Sequence, residues 1–502
     1  MRPQRFHGGL RLAGHKAESS ADGLRPCPPP ARLRVPLLQH AGRAAEACVA
    51  VGERVRRGQC IGRAEGEYSA DVHAPCAGRI QAIESGESPA FPGQRVVEVW
   101  IDVEGDGVTT LPPLDWTLAS PETLRERIRE AGIVGLGGAG FPTAEKLSAC
   151  RERLVLNGAE CEPWIACDDA LLRAHADEVV LGGRLLARAT GAARVQLAVE
   201  DSMTAALEAC RAALAGHGAG EVELAVVPTI YPEGGERQLI QALTGREVPR
   251  GGLPRDLGVI VQNVATARAA WRAVTLGETL TERIVTVTGP GVANPGNYVV
   301  PLGTTVSHLV EQAGGYTPDA ARLLLGGPMM GLALPHDDVP VGKTHNCVLV
   351  QTAAEVAAET LEPEMPCIRC GDCAPVCPAR LLPQQLLWQV RAERPERAAD
   401  QGLFDCIECG CCDLACPSHI PLTAHFRHAK GEQRARAAET ARALAARERH
   451  ESRQQRLERE AAERVERDAA RRRNAASPDA VAAALERARA KRAAPGEPGA
   501  GA

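Results

Sequence analysis

Short β-branched and apolar stretches separated by turn residues dominate the first hundred positions. Between Val51 and Ile83 the pieces Val51-Gly52-Glu53-x-Val55, Gly58-Gln59-x-Ile61, Val72-x-Ala74-Pro75 and Gly78-x-Ile80 alternate with turns, a spacing that predicts a small all-β unit. Ahead of it, the Gly- and Pro-rich residues 1 to 35, with Phe6-His7-Gly8-Gly9 and Pro28-Pro29-Pro30, predict a wrapping arm rather than a core. From 120 to 275 helix and strand signals alternate. Ser120-Pro121 offers a capping residue and a proline at the first helical position, while Arg153-Leu154-Val155-Leu156 and Leu224-Ala225-Val226-Val227 read as buried strands, which predicts an α/β domain. From Arg283 to about Val350, Ile284-Val285-Thr286-Val287-Thr288, Gly289-Pro290-Gly291, a short helix and Gly326-Gly327-Pro328 predict a compact mixed-β module. A cysteine-rich segment follows, with a helix predicted over Pro383–Arg394 between its halves. From about Gly431 the chain is rich in Ala, Arg and Glu; opposite charges at i,i+4 predict a solvated helix, and the Gly/Pro/Ala end from Ala494 is expected to be disordered.

At 502 residues the chain is too long for one hydrophobic core. The expected division is 1–115 (arm and β unit), 116–280 (α/β domain), 281–350 (mixed-β module), 351–430 (cysteine segment) and 431–502 (tail). A formal net charge of -5 leaves no basic footprint, so no nucleic-acid partner is expected. No long apolar run and no signal-peptide core stand in the sequence. A cytoplasmic location is therefore expected, with membrane contact only through partners.

Nine of the 18 cysteines crowd into residues 367 to 416 at metal-ligand spacings, which favours metal over disulfides. One pattern occurs twice: Cys367-x2-Cys370-x2-Cys373-x3-Cys377-Pro378 and Cys406-x2-Cys409-x2-Cys412-x3-Cys416-Pro417. Three thiolates so spaced wrap one face of a cubane, and the fourth, before a turning proline, serves the other cluster. Two [4Fe–4S] clusters with crossed ligand sets are predicted: Cys367, Cys370, Cys373 and Cys416 for one, Cys406, Cys409, Cys412 and Cys377 for the other. Zinc in this segment takes only four ligands and strands half of each tetrad. Cys411 reads as a packed bystander. The scattered Cys27, Cys48, Cys60, Cys76, Cys150, Cys161, Cys167, Cys210 and Cys347 read as small buried hydrophobes. The double motif resembles bacterial two-cluster ferredoxins.

Gly135-x-Gly137-x-x-Gly140 matches a dinucleotide fingerprint, with Glu160 about 20 residues on. It follows a helix and Gly132-Ile133-Val134 rather than a strand, so a Rossmann fold is not expected. Approachable backbone N–H groups, with Lys146 a turn later, suit a phosphate. That lysine is one of only five in an Arg-dominated chain. The wording around the loop, Gly135-Leu136-Gly137-Gly138-Ala139-Gly140-Phe141-Pro142-Thr143, Asn157-Gly158-Ala159-Glu160-Cys161-Glu162-Pro163, Tyr231-Pro232-Glu233-Gly234-Gly235-Glu236 and Val261-Gln262-Asn263-Val264, resembles the flavin- and NADH-binding subunit of respiratory complex I. The resemblance implies FMN contacts from Gly135, Gly137, Gly138, Gly140, Lys146, Asn157 and Asn263. It further implies that Phe141, Glu160, Glu162, Tyr231 and Glu236 face FMN or NADH. Leu136, Ala159, Gly235 and Gln262 depart from the complex I pattern.

The whole layout to about residue 430 is similar to the C subunits of Rnf electron-transport complexes. This resemblance implies a multidomain α/β and α+β protein: a barrel-sandwich-like β unit, the complex I-like flavin domain, a soluble-ligand-binding β-grasp module, a two-cluster ferredoxin-like helical segment and a charged tail. The β unit also resembles biotinyl/lipoyl carriers, but no lysine lies between Lys16 and Lys146 to bear a swinging group, so its role is read as structural. The resemblance implies a peripheral subunit on the cytoplasmic face of the bacterial inner membrane, assembled with integral membrane and ferredoxin-type subunits. There FMN and the clusters carry electrons between NADH and ferredoxin and the complex couples this to ion movement. A soluble flavin iron–sulfur reductase, of the cobalamin reductase or bifurcating dehydrogenase kind, shares the same core; a relay subunit that has lost its nucleotides is the other alternative. Flavin content separates the last from the rest.

Overall fold

The computed structural model describes residues 5–493 except 67, 89, 91–93, 149–150, 219, 361–362 and 476; Cys150 and the expected disordered end from 494 lie outside the described residues. The chain forms two compact units, Met1–Arg427 and His428–Ala502.

In the first unit, the N-terminal module is a sandwich of two small antiparallel sheets. One has the strand order Arg32–Pro36, Arg95–Val103, Gly78–Glu87, Arg54–Val55, the other Glu46–Ala47, Cys60–Arg63, Val72–His73. Alternating inward residues, Leu33, Val35, Ile61, Val72, Ile80, Val99 and Ile101, fill the space between them.

The α/β domain carries a four-stranded, wholly parallel sheet in the order Val222–Val227, Arg194–Glu200, Arg153–Gly158, Val259–Asn263. The strands are short apolar runs, as parallel strands covered on both faces require. The helix Pro121–Glu130 starts where its signals place it: the Ser120 hydroxyl accepts from Thr123 N–H and proline opens the first turn. In chain order the sheet runs 3-2-1-4, so its direction of winding reverses between Arg153–Gly158 and Val259–Asn263. Ligands of open α/β sheets bind at the carboxyl ends of strands beside such a reversal.

The mixed-β module is a six-stranded sheet in the order Arg25–Pro26, Gly296–Pro301, Glu282–Thr288, Cys347–Thr352, Ala320–Leu325, Leu332–Leu334. The arm supplies its first edge strand, in parallel with Gly296–Pro301. One lysine joins three modules. The fully buried Lys343 Nζ donates to the carbonyls of Asp71 (2.7 Å) and Gly132 (2.8 Å).

Between the two cysteine motifs lie helices Pro383–Arg391 and Pro395–Asp400. The first ends three residues before the expected Arg394, because Glu393 takes a positive φ of 52° and proline follows at 395. In the second unit, helical residues up to Ala475 belong to the helix Leu422–Ala475, which is continuous through Gly431, and Pro478–Ala493 follows. Described side chains here are almost all exposed, as their charge predicts. Among the described residues no helix is long and apolar enough to cross a membrane.

Candidate functional site

Two constellations form, one at the carboxyl ends of the parallel sheet and one in the cysteine segment. At the winding reversal Asn157 and Asn263 are register partners on adjacent strands. Asn157 Nδ2 donates to Gly234 O (2.9 Å), tying the strand to the Tyr231–Glu236 loop, and its Oδ1 accepts from Ala159 N–H (3.0 Å). Asn263 caps the helix Val264–Thr275 through Ala265 N–H and donates to Asp168 Oδ2 (2.6 Å).

The glycine loop closes on itself, Gly135 N–H to Phe141 O (2.9 Å) and Gly140 N–H to Gly135 O (3.1 Å), and Leu136 N–H binds the Thr266 hydroxyl (2.9 Å). It thereby lies over Asn263: a Cβ on Gly137 would sit 3.3 Å from Asn263 Cβ, closer than ordinary contact. Gly138 has φ +103° and open space at its Cα, so its backbone is approachable from outside. Lys146 ends the short helix Thr143–Lys146 and pairs with Glu236 (2.6 Å), bringing together two residues far apart in sequence. The Phe141 ring lies 5.7 Å from that of Tyr68.

Glu160 and Glu162 turn inward. The Glu160 carboxylate accepts from Cys167 Sγ (3.2 Å) and from the N–H groups of Asp168 (3.0 Å) and Asp169 (3.3 Å), and so caps the helix Cys167–Thr190. Its backbone carbonyl accepts from Lys16 of the arm. Glu162 accepts from Met329 and Met330 N–H (3.0 Å each), and burial raises its carboxyl above the usual range. Burial, then the nearby Glu160 charge, likewise pushes Asp168 up. Lys16 and Asp168 were not singled out as site residues; the acidic start of the Cys167 helix was the available signal for Asp168.

Tyr231 is buried and spans the two constellations. Its hydroxyl donates to Cys409 O (2.8 Å), and its backbone exchanges two hydrogen bonds with Leu10. The arm is wedged in the same junction. A Cβ on Gly8 (φ +76°) would meet Val376 O at 2.7 Å, and one on Gly9 (φ +81°) would meet Tyr231 O at 2.6 Å, so only glycine fits.

In the cysteine segment, one cavity is lined by Cys367, Cys370, Cys373 and Cys416, and a second by Cys377, Cys406, Cys409 and Cys412, with Cys411 also at its wall. The four-thiol sets around small cavities fit cubane clusters, whose ligands are thiolates. Cys411 is fully buried; its hydrogen bond lowers the Cys409 thiol and raises its own. Of the scattered cysteines, Cys27, Cys167, Cys210 and Cys347 are buried, but Cys48 is exposed and Cys60, Cys76 and Cys161 are only partly covered.

Comparison with known proteins matches the Nuo51 FMN-binding domain to residues 128–272, the RnfC barrel sandwich hybrid domain to 4–106, the SLBB domain to 284–333 and the 4Fe-4S dicluster domain to 366–420. The C subunit of the ion-translocating oxidoreductase complex of Citrobacter koseri is 46% identical over 97% of this chain and 70% of its own length. That of Pectobacterium atrosepticum is 44% identical over 98% of this chain and 72% of its own. The chain spans 63% of the relative from Cronobacter sakazakii, at 44% identity. An NAD+-reducing [NiFe]-hydrogenase in the H2-reduced state is 25% identical with a TM-score of 0.46, over 63% of this chain and 62% of that one.

Proposed function

The chain belongs to the family of C subunits of the ion-translocating oxidoreductase complex, and on that premise we propose that it is the peripheral subunit through which that complex exchanges electrons between NADH and ferredoxin. Its place is the cytoplasmic face of the bacterial inner membrane, held there by integral membrane and ferredoxin-type subunits. For this role we propose the division 1–115, 116–280, 281–350, 351–430 and 431–502.

FMN, when bound, supplies the conversion between a hydride and single electrons, and [4Fe–4S] clusters supply one-electron storage. The chain's own residues do the rest. Gly135, Gly137, Gly138 and Gly140 would bring backbone N–H groups close to the ligand, and Lys146, which pairs with Glu236, would meet its phosphate. Asn157 and Asn263, register partners at the strand ends, would help hold the flavin there. Phe141, Tyr231 and Glu236 would face FMN or NADH, while Glu160 and Glu162, bonded inward, brace the same region. Cys367, Cys370, Cys373 and Cys416 hold one cluster, and Cys377, Cys406, Cys409 and Cys412 the other.

The observation that carries this reading is the hydrogen bond from Tyr231, which we assign to the nucleotide site, to the carbonyl of Cys409 in a cluster cage. It brings the Tyr231–Glu236 loop, which Asn157 ties to the end of the parallel sheet, against a cluster cage. The test is flavin titration of the cluster-loaded chain followed by NADH: FMN binding and NADH-dependent bleaching of the clusters are expected. A chain that binds no FMN and is not reduced by NADH after flavin is supplied overturns the reading in favour of a relay.

A further inference from the structure

Outside both constellations, one group of metal-ligating side chains in the sandwich module has no part in electron transfer. Cys60 and His73 are direct partners across antiparallel strands, and the register shifts between Cys60 and Gly62. Such a bulge re-aims side chains. Two residues before His73, Asp71 puts its carboxylate on the same side. The ligand atoms of Cys60, Asp71 and His73 all lie within 4.8 Å of one another, and Asp71 and His73 are buried. Cys48 Sγ lies 3.7 Å from Cys60 Sγ. Two sulfurs bound to one tetrahedral zinc at about 2.3 Å stand about 3.8 Å apart.

We infer that Cys48, Cys60, Asp71 and His73 form a structural site for a divalent zinc ion, separate from the iron–sulfur cages. Coordination releases two thiol protons to solvent and leaves zinc with two sulfur, one oxygen and one nitrogen ligand; no redox change occurs. The surroundings suit it. The His73 side chain is buried and its Nδ1 has no hydrogen-bond partner, which leaves that atom able to ligate, while the ring bonds to the Glu130 backbone. Metal-binding histidines are oriented in this way by a second partner. Two thiolates, one carboxylate and zinc sum to a single negative charge. Arg63, 2.9 Å from Asp71 Oδ2, lies beside it to balance that charge. The Asp71 Oδ1 atom is held by Ala64 N–H (2.7 Å), which fixes the carboxylate. Cys48 is exposed, so the ion has an entry path. Bound there, the ion pins the two sheet edges together beside the Lys343 staple.

The test is elemental analysis and zinc-edge X-ray absorption of the full chain, purified without oxygen, incubated with zinc and washed with a weak chelator. About one zinc per chain is expected beside about eight irons, with two sulfur and two nitrogen or oxygen neighbours. In the C48S/C60S double variant zinc should fall at least about tenfold with iron unchanged. Less than about a tenth of a zinc per chain overturns the inference, as does zinc unaffected by the double variant or a Cys48–Cys60 disulfide in the anaerobic protein. Should the double variant not fold, the edge spectrum of the unaltered chain decides: four sulfur neighbours place zinc in the cluster cages and overturn it, as does a shell without sulfur. Iron content and flavin-dependent reduction are read separately, so failure here leaves the proposed function standing.

Discussion

The two cysteine cages come from one repeated motif, yet their surroundings differ. The cage of Cys377, Cys406, Cys409 and Cys412 has three buried cysteines and is covered by Tyr231 and Met329 from other parts of the fold. In the cage of Cys367, Cys370, Cys373 and Cys416 only Cys373 is buried, Cys370 is exposed, and Ile368 between two ligands is 66% exposed. Hydrogen bonds and solvent exposure tune cluster potentials, so equal ligand sets need not give equal potentials. The first cage faces the flavin-type domain and the second faces solvent. A duplicated motif has thus been given an inner and an outer end by what packs on it.

The sharpest break of this comparison is Cys409→Ala. It should remove about half the iron and also loosen the Tyr231 junction, because apo thiols would be left around a buried cavity. Iron analysis with thermal unfolding checks it, and an unchanged melting temperature would mean that the inner cage is not a structural element. Cys416→Ala should cost a similar share of iron, but from the outer cluster, and with less effect on unfolding. Spectra in which the inner cluster alone disappears would refute the crossed ligand sets.

A smaller effect is expected from Lys146→Ala. Removing a charge-assisted contact costs about 1.5–3 kcal/mol, or roughly ten- to a hundredfold in FMN affinity. Glu236, left without its partner, adds a negative charge near the phosphate and moves the result toward the upper end. Both clusters should keep their spectra; flavin titration with cluster spectroscopy separates the two readouts. Tyr231→Phe should act least, costing about 1 kcal/mol by leaving Cys409 O without its donor. Denaturant unfolding measures it, and a signal change confined to the outer cluster would contradict the inner-end assignment.

Local pattern was enough for much of this molecule. Short apolar runs bounded by Gly and Pro marked the strands at 153 and 224, Ser120-Pro121 marked a helix start, and the solvated helix of the tail followed from its charges. The helix through Gly431 was harder to place, since a single exposed glycine costs too little to stop a long charged helix.

What the sequence by itself determined is the chemistry held within a few residues: thiols three positions apart are spaced for one face of a single cluster, and a glycine run exposes its own amides. What only the tertiary structure decided is every relation between distant segments. No spacing announces that Asn157 and Asn263 become neighbours, because that depends on a 3-2-1-4 strand order. The wedge of Gly8 and Gly9 against Val376 and Tyr231, the burial of one cage and not the other, and the meeting of Cys60, Asp71 and His73 across a bulged strand pair depend on it equally. Packing between modules fixes these contacts, and packing is set by the summed burial of the whole core rather than by any one stretch of chain.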